Sequence, residues 1–229
     1  MLKKNWLFSL AFAIIFVAQL IVEWNGLTVV NYITKPLITI SLMVYYVTHT
    51  QLKGKFAKKI FFGLLFGLAG DCFLMLLNQN ASFFIFGLLS FLIGHLFYVS
   101  AFYLDFKSNP VIQKMTSRIA LIVFGIFCTS FYLYMRPYLG DLKIPVLVYA
   151  FVISLMAIMA VNRRGRVNTL SFNLIFCGAL AFLVSDSLLA ANKFVGAFNF
   201  SGIAIMATYM LAQYLITMGA VQRNFKPIS

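Results

Sequence analysis

Charge is scarce in this sequence, and acidic charge is the scarcest. Of 229 residues, 10% are charged and 62% are hydrophobic, and five Asp and Glu residues stand against 18 Lys and Arg. An ordinary soluble domain has about 25% charged residues, so this composition excludes that class and is typical of a chain whose solvent is lipid. The sequence therefore predicts a polytopic membrane protein.

Cysteine and histidine are also rare. The three cysteines all lie inside apolar runs, at Cys72, Cys128 and Cys177. We therefore expect small buried hydrophobic side chains rather than a disulfide framework. Only one of the two histidines, His95, lies within a long apolar run, and the cysteines do not have ligand spacing. A metal site made of Asp71, His95 and Asp186 is thus disfavoured, and we expect no metal or cofactor.

Long apolar runs set the predicted fold. Eight runs are long enough to cross a hydrocarbon core of about 30 Å, and they lack the alternating pattern of barrel strands. The runs cover residues 6–22, 32–48, 60–77, 82–104, 119–134, 144–161, 170–190 and 200–221. The prediction is one all-α integral membrane domain, residues 1–229, built as a bundle of eight transmembrane helices.

Basic residues predict the orientation of this bundle. One set of connecting segments carries fourteen, namely Lys3, Lys4, Lys53, Lys55, Lys58, Lys59, Lys107, Lys114, Arg118, Arg163, Arg164, Arg166, Arg223 and Lys226. The other set carries Lys35, Arg136, Lys143 and Lys193. By the positive-inside rule both termini are cytoplasmic, and we expect a bacterial inner membrane protein. The net charge of +13 then reflects topology and anionic lipid rather than nucleic acid. Since no small-residue cleavage site follows the first run, we expect it to be a retained span.

Two carboxylates, Asp71 and Asp186, lie inside the predicted spans. A charge at membrane depth costs at least about 2.5–3.5 kcal/mol, so such residues face the protein interior and are functional hypotheses by default. When two carboxylates are buried near one another, one can keep its proton and act as an acid while its ionised partner stabilises positive charge or activates water. The structural alternative is a polar network that only joins helices.

The two halves of the chain resemble each other. Tyr98 lies 27 positions after Asp71, and Gln213 lies 27 positions after Asp186. A glycine also precedes each aspartate by eight positions. We expect a parallel four-plus-four repeat whose aspartates are related by a pseudo-twofold axis along the membrane normal, so that both can line one cavity.

Four motifs in order resemble the YhhN-type lysoplasmalogenases. They are Lys35-Pro36-Leu37, Gly70-Asp71 followed by Gly94-His95-Leu-Phe-Tyr98, Ser185-Asp186-Ser187, and Thr208-Tyr209-Met-Leu-Ala212-Gln213. The resemblance implies hydrolysis of the vinyl ether bond of 1-alkenyl lysophospholipids with ethanolamine or choline heads, which releases a fatty aldehyde and a glycerophospho-base. It implies Asp71 and Asp186 as the acid and its partner, in an unassigned order. The supporting or substrate-binding residues would be His95, Tyr98, Tyr209, Gln213, Ser185 and Lys35.

This chemistry suits two buried carboxylates. Vinyl ethers hydrolyse by protonation of the β carbon, which gives an oxocarbenium ion; water then adds and the hemiacetal collapses, without a cofactor. The Phe-rich and Met-rich interior would hold the alkenyl chain. Lys35 is either a snorkelling flank residue or a phosphate contact.

The sequence is also consistent with two other classes of protein. A proton-coupled transporter of a small or lipid-like substrate would also bury aspartates and a histidine near the midplane. Against it, the spans that carry these residues lack the interior breaks of unwound helices. The third possibility is a non-catalytic membrane scaffold.

Overall fold

Eight long helices make up the computed structural model of the chain, which describes residues 2–77, 79–80, 82–109 and 115–225, without the side chains of residues 2–5. The helices are α1 (Leu2–Trp24), α2 (Thr28–Thr50), α3 (Gly54–Met75), α4 (Ser82–Ser108), α5 (Met115–Met135), α6 (Lys143–Val161), α7 (Thr169–Ala190) and α8 (Ser201–Val221). A π-helical turn, Ala191–Val195, extends α7. Within the described residues the only β pairing is one bridge between Val167 and Phe225. The all-α prediction is confirmed.

Six of these helices, α1 and α4 to α8, are long and apolar enough to cross a membrane. The remaining two, α2 and α3, are as long but contain more polar residues, among them Lys35 and Asp71. Many large apolar side chains point outward, as on α5, where Leu121, Ile122 and Ile126 are exposed. Such a surface suits lipid. The protein is therefore a multi-pass membrane protein, and each predicted span coincides with a helix.

Several helix ends differ from the sequence-based prediction, and two of the differences change where polar residues lie. The α2 helix begins at Thr28 rather than at residue 32, so Pro36 lies well inside it, where its ring removes the hydrogen bond that an N–H would give to Tyr32. The α4 helix continues to Ser108 and includes Asp105. The prediction that Asp71 and Asp186 are the only carboxylates in the apolar helices is thus wrong.

Glycine lets consecutive helices pack closely in two places. A Cβ on Gly94 of α4 would lie 3.1 Å from the carbonyl oxygen of Gly63 in α3. A Cβ on Gly178 of α7 would lie 3.1 Å from the carbonyl oxygen of Ala212 in α8. Small residues permit this approach of backbones. Gly94 thus permits close packing of α3 and α4, and Gly178 does the same for α7 and α8.

A buried ion cluster ties α4 to the segments that follow α6 and α8. Asp105 is fully buried and accepts hydrogen bonds from Arg163 Nε at 2.8 Å and from Arg223 Nη2 at 2.5 Å. Arg163 also donates to the hydroxyl and the carbonyl of Ser171, at 2.8 and 3.1 Å. Arg163, which the sequence placed in an exposed basic loop, is 0% exposed.

The described cysteines are free, and none is fully buried. Cys72 and Cys128 are half-buried, and Cys177 is exposed on α7. The expectation that all three are buried is therefore wrong. In a helix surrounded by lipid an exposed thiol costs little, because the lipid is as apolar as a protein core.

Candidate active site

Both aspartates line one cavity. Asp71 comes from α3 and Asp186 from α7, and α2, α4 and α8 complete the wall. The other lining residues are Lys35, Leu74, Phe91, Ser185, Leu189, Ile205, Met206 and Tyr209. The side chain of Asp71 is 2% exposed and that of Asp186 12%. The arrangement gives two carboxylates a shared, mostly apolar space, which we call the aspartate cavity.

Asp71 is held by residues from α2 and α8. The Nζ of Lys35 lies 3.9 Å from Oδ1, and the Tyr209 hydroxyl donates to Oδ2 at 2.6 Å. Gln213 Nε2 donates to the Tyr209 oxygen at 3.0 Å, and the Tyr98 hydroxyl donates to Gln213 Oε1 at 2.9 Å. Because the Tyr209 oxygen accepts a hydrogen bond from the Gln213 amide, the proton of the Tyr209 hydroxyl is directed to Asp71. Tyr98 and Gln213 therefore act on Asp71 only through Tyr209.

Asp186 has a separate set of partners. The Tyr149 hydroxyl of α6 donates to its Oδ2 at 2.6 Å. His95 Nε2 lies 3.6 Å from the same oxygen, beyond hydrogen-bond distance. The Tyr149 oxygen is also 3.4 Å from His95 Nδ1. His95 is 2% exposed, and among the described residues its Nε2 has no hydrogen-bond partner. Tyr149 is thus the direct hydrogen-bond partner of Asp186. His95 lies close to both Tyr149 and Asp186 without a short hydrogen bond to either.

Tyr149, the direct hydrogen-bond partner of Asp186, is absent from the residues that the sequence predicts for the site. The predicted span 144–161 that contains Tyr149 carries no charged residue, and tyrosine is common in this chain. A signal did exist in the predicted repeat: Lys35 lies 36 positions before Asp71, and Tyr149 lies 37 positions before Asp186. Each aspartate therefore has a polar partner on the preceding helix at nearly the same offset.

Ser185 and Lys35 both line the aspartate cavity but use their polar groups differently. The Ser185 hydroxyl donates to the Ile205 carbonyl at 3.1 Å, so it joins α7 to α8. The Lys35 side chain is 16% exposed and folds toward Asp71. It does not extend along the surface as a snorkelling residue would.

The close packing of α3 shapes the Asp71 side of the cavity. A Cβ on Gly67 would lie 2.6 Å from Gln213 Nε2, and a Cβ on Gly63 would lie 2.3 Å from the ring of Tyr98. Any side chain at these positions would displace the residues that direct Tyr209. The glycines thus make room for the hydrogen-bonded chain as well as for helix packing.

The side chains around the two aspartates offer oxygen atoms, one lysine and a single imidazole as possible ligands. Across the described ranges, no three His, Cys, Asp or Glu side chains are grouped in a way that could hold a metal ion. The aspartates are instead engaged by tyrosine hydroxyls and one lysine. Such an arrangement can hold and transfer protons within an apolar space.

Comparison with known proteins places the chain in a family. Residues 30–220 match the YhhN family. The human and bovine proteins named Lysoplasmalogenase TMEM86A are each 32% identical, over 169 and 173 residues, which is 72% of this chain and 66% of each relative. A protein of Mycobacterium bovis named Lysoplasmalogenase is 29% identical over 139 residues, or 59% of this chain and 50% of that protein.

The chain thus spans slightly less than two thirds of the length of the mammalian relatives and half of the mycobacterial one. No solved structure matches. The family match covers most of the chain and contains both aspartates and every residue that contacts them. The chain belongs to the YhhN family.

Proposed function

We propose that the protein is a lysoplasmalogenase-like hydrolase. It would cleave the vinyl ether bond of 1-alkenyl lysophospholipids with ethanolamine or choline heads, to give a fatty aldehyde and a glycerophospho-base. The observation that carries the proposal is the pair Asp71 and Asp186 on the wall of one mostly apolar cavity. The names of three relatives agree with this activity.

The reaction needs only an acid, an anion and water. One aspartic acid transfers its proton to the β carbon of the vinyl ether, which leaves an oxocarbenium ion at the α carbon. The ionised aspartate stabilises this cation and takes a proton from the water that attacks it. The resulting hemiacetal loses its hydroxyl proton as the bond to the glycerol oxygen breaks, and that oxygen is protonated. One water is consumed, and no redox step is involved.

The neighbouring hydroxyls hold the carboxylates in place. Tyr209 and Tyr149 each donate a 2.6 Å hydrogen bond to one aspartate. Hydrogen bonds of this length to an ionised acceptor are among the stronger ones in proteins. Gln213 and Tyr98 orient Tyr209, and His95 packs beside Tyr149 at Asp186. These residues position the acid and its partner in the proposal.

The membrane arrangement is part of the proposal. The chain would form one domain of eight spans, with α2 and α3 included, in a bacterial inner membrane with both termini cytoplasmic. The charge asymmetry between the connecting segments supports this orientation. Four of the fourteen basic residues on the cytoplasmic side lie outside the described residues or have undescribed side chains, namely Lys3, Lys4, Lys114 and Lys226.

The internal repeat is also proposed. In its favour, α2 supplies Lys35 to Asp71 on α3, while α6 supplies Tyr149 to Asp186 on α7. The glycine-mediated contacts between α3 and α4 and between α7 and α8 follow the same pattern. A parallel repeat of four helices explains why the two aspartates lie on corresponding helices.

The activity is tested with purified protein in detergent and a 1-alkenyl lysophosphatidylethanolamine. We expect stoichiometric release of fatty aldehyde and glycerophosphoethanolamine. The transporter alternative is tested in parallel, with protein in liposomes and a pH-sensitive dye inside. Substrate-dependent proton uptake without aldehyde would favour transport and rule out the hydrolase.

Tyr149→Phe is expected to slow aldehyde release while leaving the fold intact. The change removes the hydrogen bond to Asp186, whose carboxylate would be charged either before the reaction or as its proton leaves. A hydrogen bond to a charged group is worth about 1.5–3 kcal/mol, which corresponds to roughly a tenfold to hundredfold loss in kcat. The matched control is Tyr134→Phe, which removes the hydroxyl of an exposed tyrosine on α5. Equal rates in the two variants would show that Tyr149 has no part in the chemistry.

A further inference from the structure

An apolar cavity meets the aspartate cavity at Asp186. It lies between α4, α5, α6 and α7. Its apolar walls include Phe84, Leu88, Phe127, Phe131, Val146 and Phe194. The polar side chains on its wall, Tyr149, Asp186 and Ser187, come from α6 and α7. Asp186 and Leu189 line both cavities.

A polar cavity adjoins the aspartate cavity on the side of Asp71. Its wall consists of Thr28, Asn31, Tyr32, Lys35, Leu74 and Met75. Lys35 and Leu74 line both this cavity and the aspartate cavity. The Tyr32 hydroxyl donates to the Met75 carbonyl at 2.9 Å, which holds α2 against the end of α3. The polar cavity therefore offers a cation and several hydrogen-bonding groups.

The three spaces form a series whose chemistry changes from end to end. Hydrocarbon-like walls come first, then two carboxylates, then a lysine with polar neighbours. A single-chain phospholipid has the same order of parts: a hydrocarbon chain, the linkage to glycerol, and a phosphate. The reverse placement would put a phosphate among phenylalanine rings, where the cost of burying an unpaired charge opposes it. Lys193, the cation near that end, stacks on Phe84 and does not line the cavity.

We propose that the apolar cavity binds the hydrocarbon chain of the substrate and the polar cavity its phosphate, an inference that rests on the proposed function. The alkenyl carbons then adjoin Asp186, which makes Asp186 the acid that protonates the β carbon. Asp71, beside Lys35, is the ionised partner that takes a proton from the attacking water. A neighbouring cation favours the ionised form of a carboxylate, which suits this assignment.

The chain-length dependence of the reaction tests the apolar cavity. Val146 is 5% exposed and lines it, whereas Val148, two residues along α6, is 45% exposed and lies outside it. Val146→Phe should lower the ratio of kcat/KM for long-chain over short-chain alkenyl substrates by at least about tenfold, since one misplaced methylene in a hydrophobic pocket already costs 10-fold or more. The control variant Val148→Phe should keep the ratio of the unmodified protein.

The outcomes separate this inference from the proposed function. If the unmodified protein releases no aldehyde from any chain length, the proposed function fails. If it does, and folded Val146→Phe keeps the original ratio, the apolar cavity is not the chain site.

A second measurement does not depend on how well Val146→Phe folds. A saturated 1-alkyl lysophospholipid with a diazirine at the chain end is crosslinked to the unmodified protein. We expect labelling at Phe127 and Phe131, which line the cavity, that competes with unlabelled lipid. Labelling confined to lipid-facing residues of the same helix, such as Ile122 and Ile126, would overturn the proposal.

Discussion

Asp71→Asn and Asp186→Asn should each lower aldehyde release by about a hundredfold or more, because a general acid or base contributes about 10²–10⁴-fold to the rate. An asparagine keeps the shape of the side chain but can neither deliver a carboxyl proton nor carry the negative charge. At position 71 the change also leaves Lys35, 3.9 Å away, without its counter-charge. Both losses are measured as initial rates with saturating substrate.

The matched control for these variants is Asp141→Asn. Asp141 is an exposed acid in the turn between α5 and α6, away from the aspartate cavity. Asp141→Asn should retain the rate of the unmodified protein. All three variants should elute as the same species in size-exclusion chromatography in detergent. Undiminished release from folded Asp71→Asn or Asp186→Asn would remove that residue from the chemistry.

Asp105→Ala should destabilise the fold by about 3–5 kcal/mol, the usual cost of removing one partner from a buried ion pair. The substitution leaves two guanidinium groups without an anion, and one of them, on Arg163, is 0% exposed. The measurement is thermal unfolding in detergent. Because Asp105 takes no part in the aspartate cavity, the molecules that remain folded should hydrolyse substrate at the normal rate.

The neighbouring arginines supply a matched pair for the same cluster. Arg163→Ala should lower the unfolding temperature, since it leaves a carboxylate paired with Arg223 alone and the Ser171 groups without a donor. Arg164→Ala should not, because Arg164 is exposed. Equal unfolding temperatures for the two variants would show that the buried cluster does not hold this end of the bundle together.

The sequence predicts the helices well because one physical rule dominates them. A chain in lipid must satisfy its backbone within each span, so long apolar runs become helices. The two central aspartates are equally visible, since a carboxylate surrounded by apolar residues is rare. Asp71 and Asp186 both line the predicted kind of cavity.

Residues at the edges of the apolar runs are harder to predict. Asp105 and Arg163 stand beside other charged residues and resemble members of a solvated loop. They are buried because Asp105 of α4 contacts Arg163 and Arg223, which lie 58 and 118 positions further along the chain. A local sequence pattern cannot predict such a contact. The early start of α2 also depends on a contact between helices. Asn31 accepts a hydrogen bond from the buried Gln19 of α1 at 2.7 Å, so the helix includes a polar residue that lies before the apolar run.

Tyr149 and Lys35 show a different limit. Their residue types have common roles in membrane proteins, as lipid-facing aromatics and as interfacial cations. Their offsets from the two aspartates are a weak signal in the sequence, and the fold brings each of them to an aspartate from the preceding helix. The sequence therefore indicates the two carboxylates that line the cavity, while the identity of their partners requires the packing of α2 against α3 and of α6 against α7.

The most direct test of the hydrolase proposal is the isotope content of the products formed in D₂O enriched in ¹⁸O. Protonation of the β carbon followed by water attack at the α carbon predicts an aldehyde with one deuterium on the carbon next to the carbonyl. It also predicts a glycerophosphoethanolamine without ¹⁸O, because the glycerol oxygen stays with the glycerol. An ¹⁸O atom in the glycerol product, or an aldehyde without carbon-bound deuterium, would contradict the account.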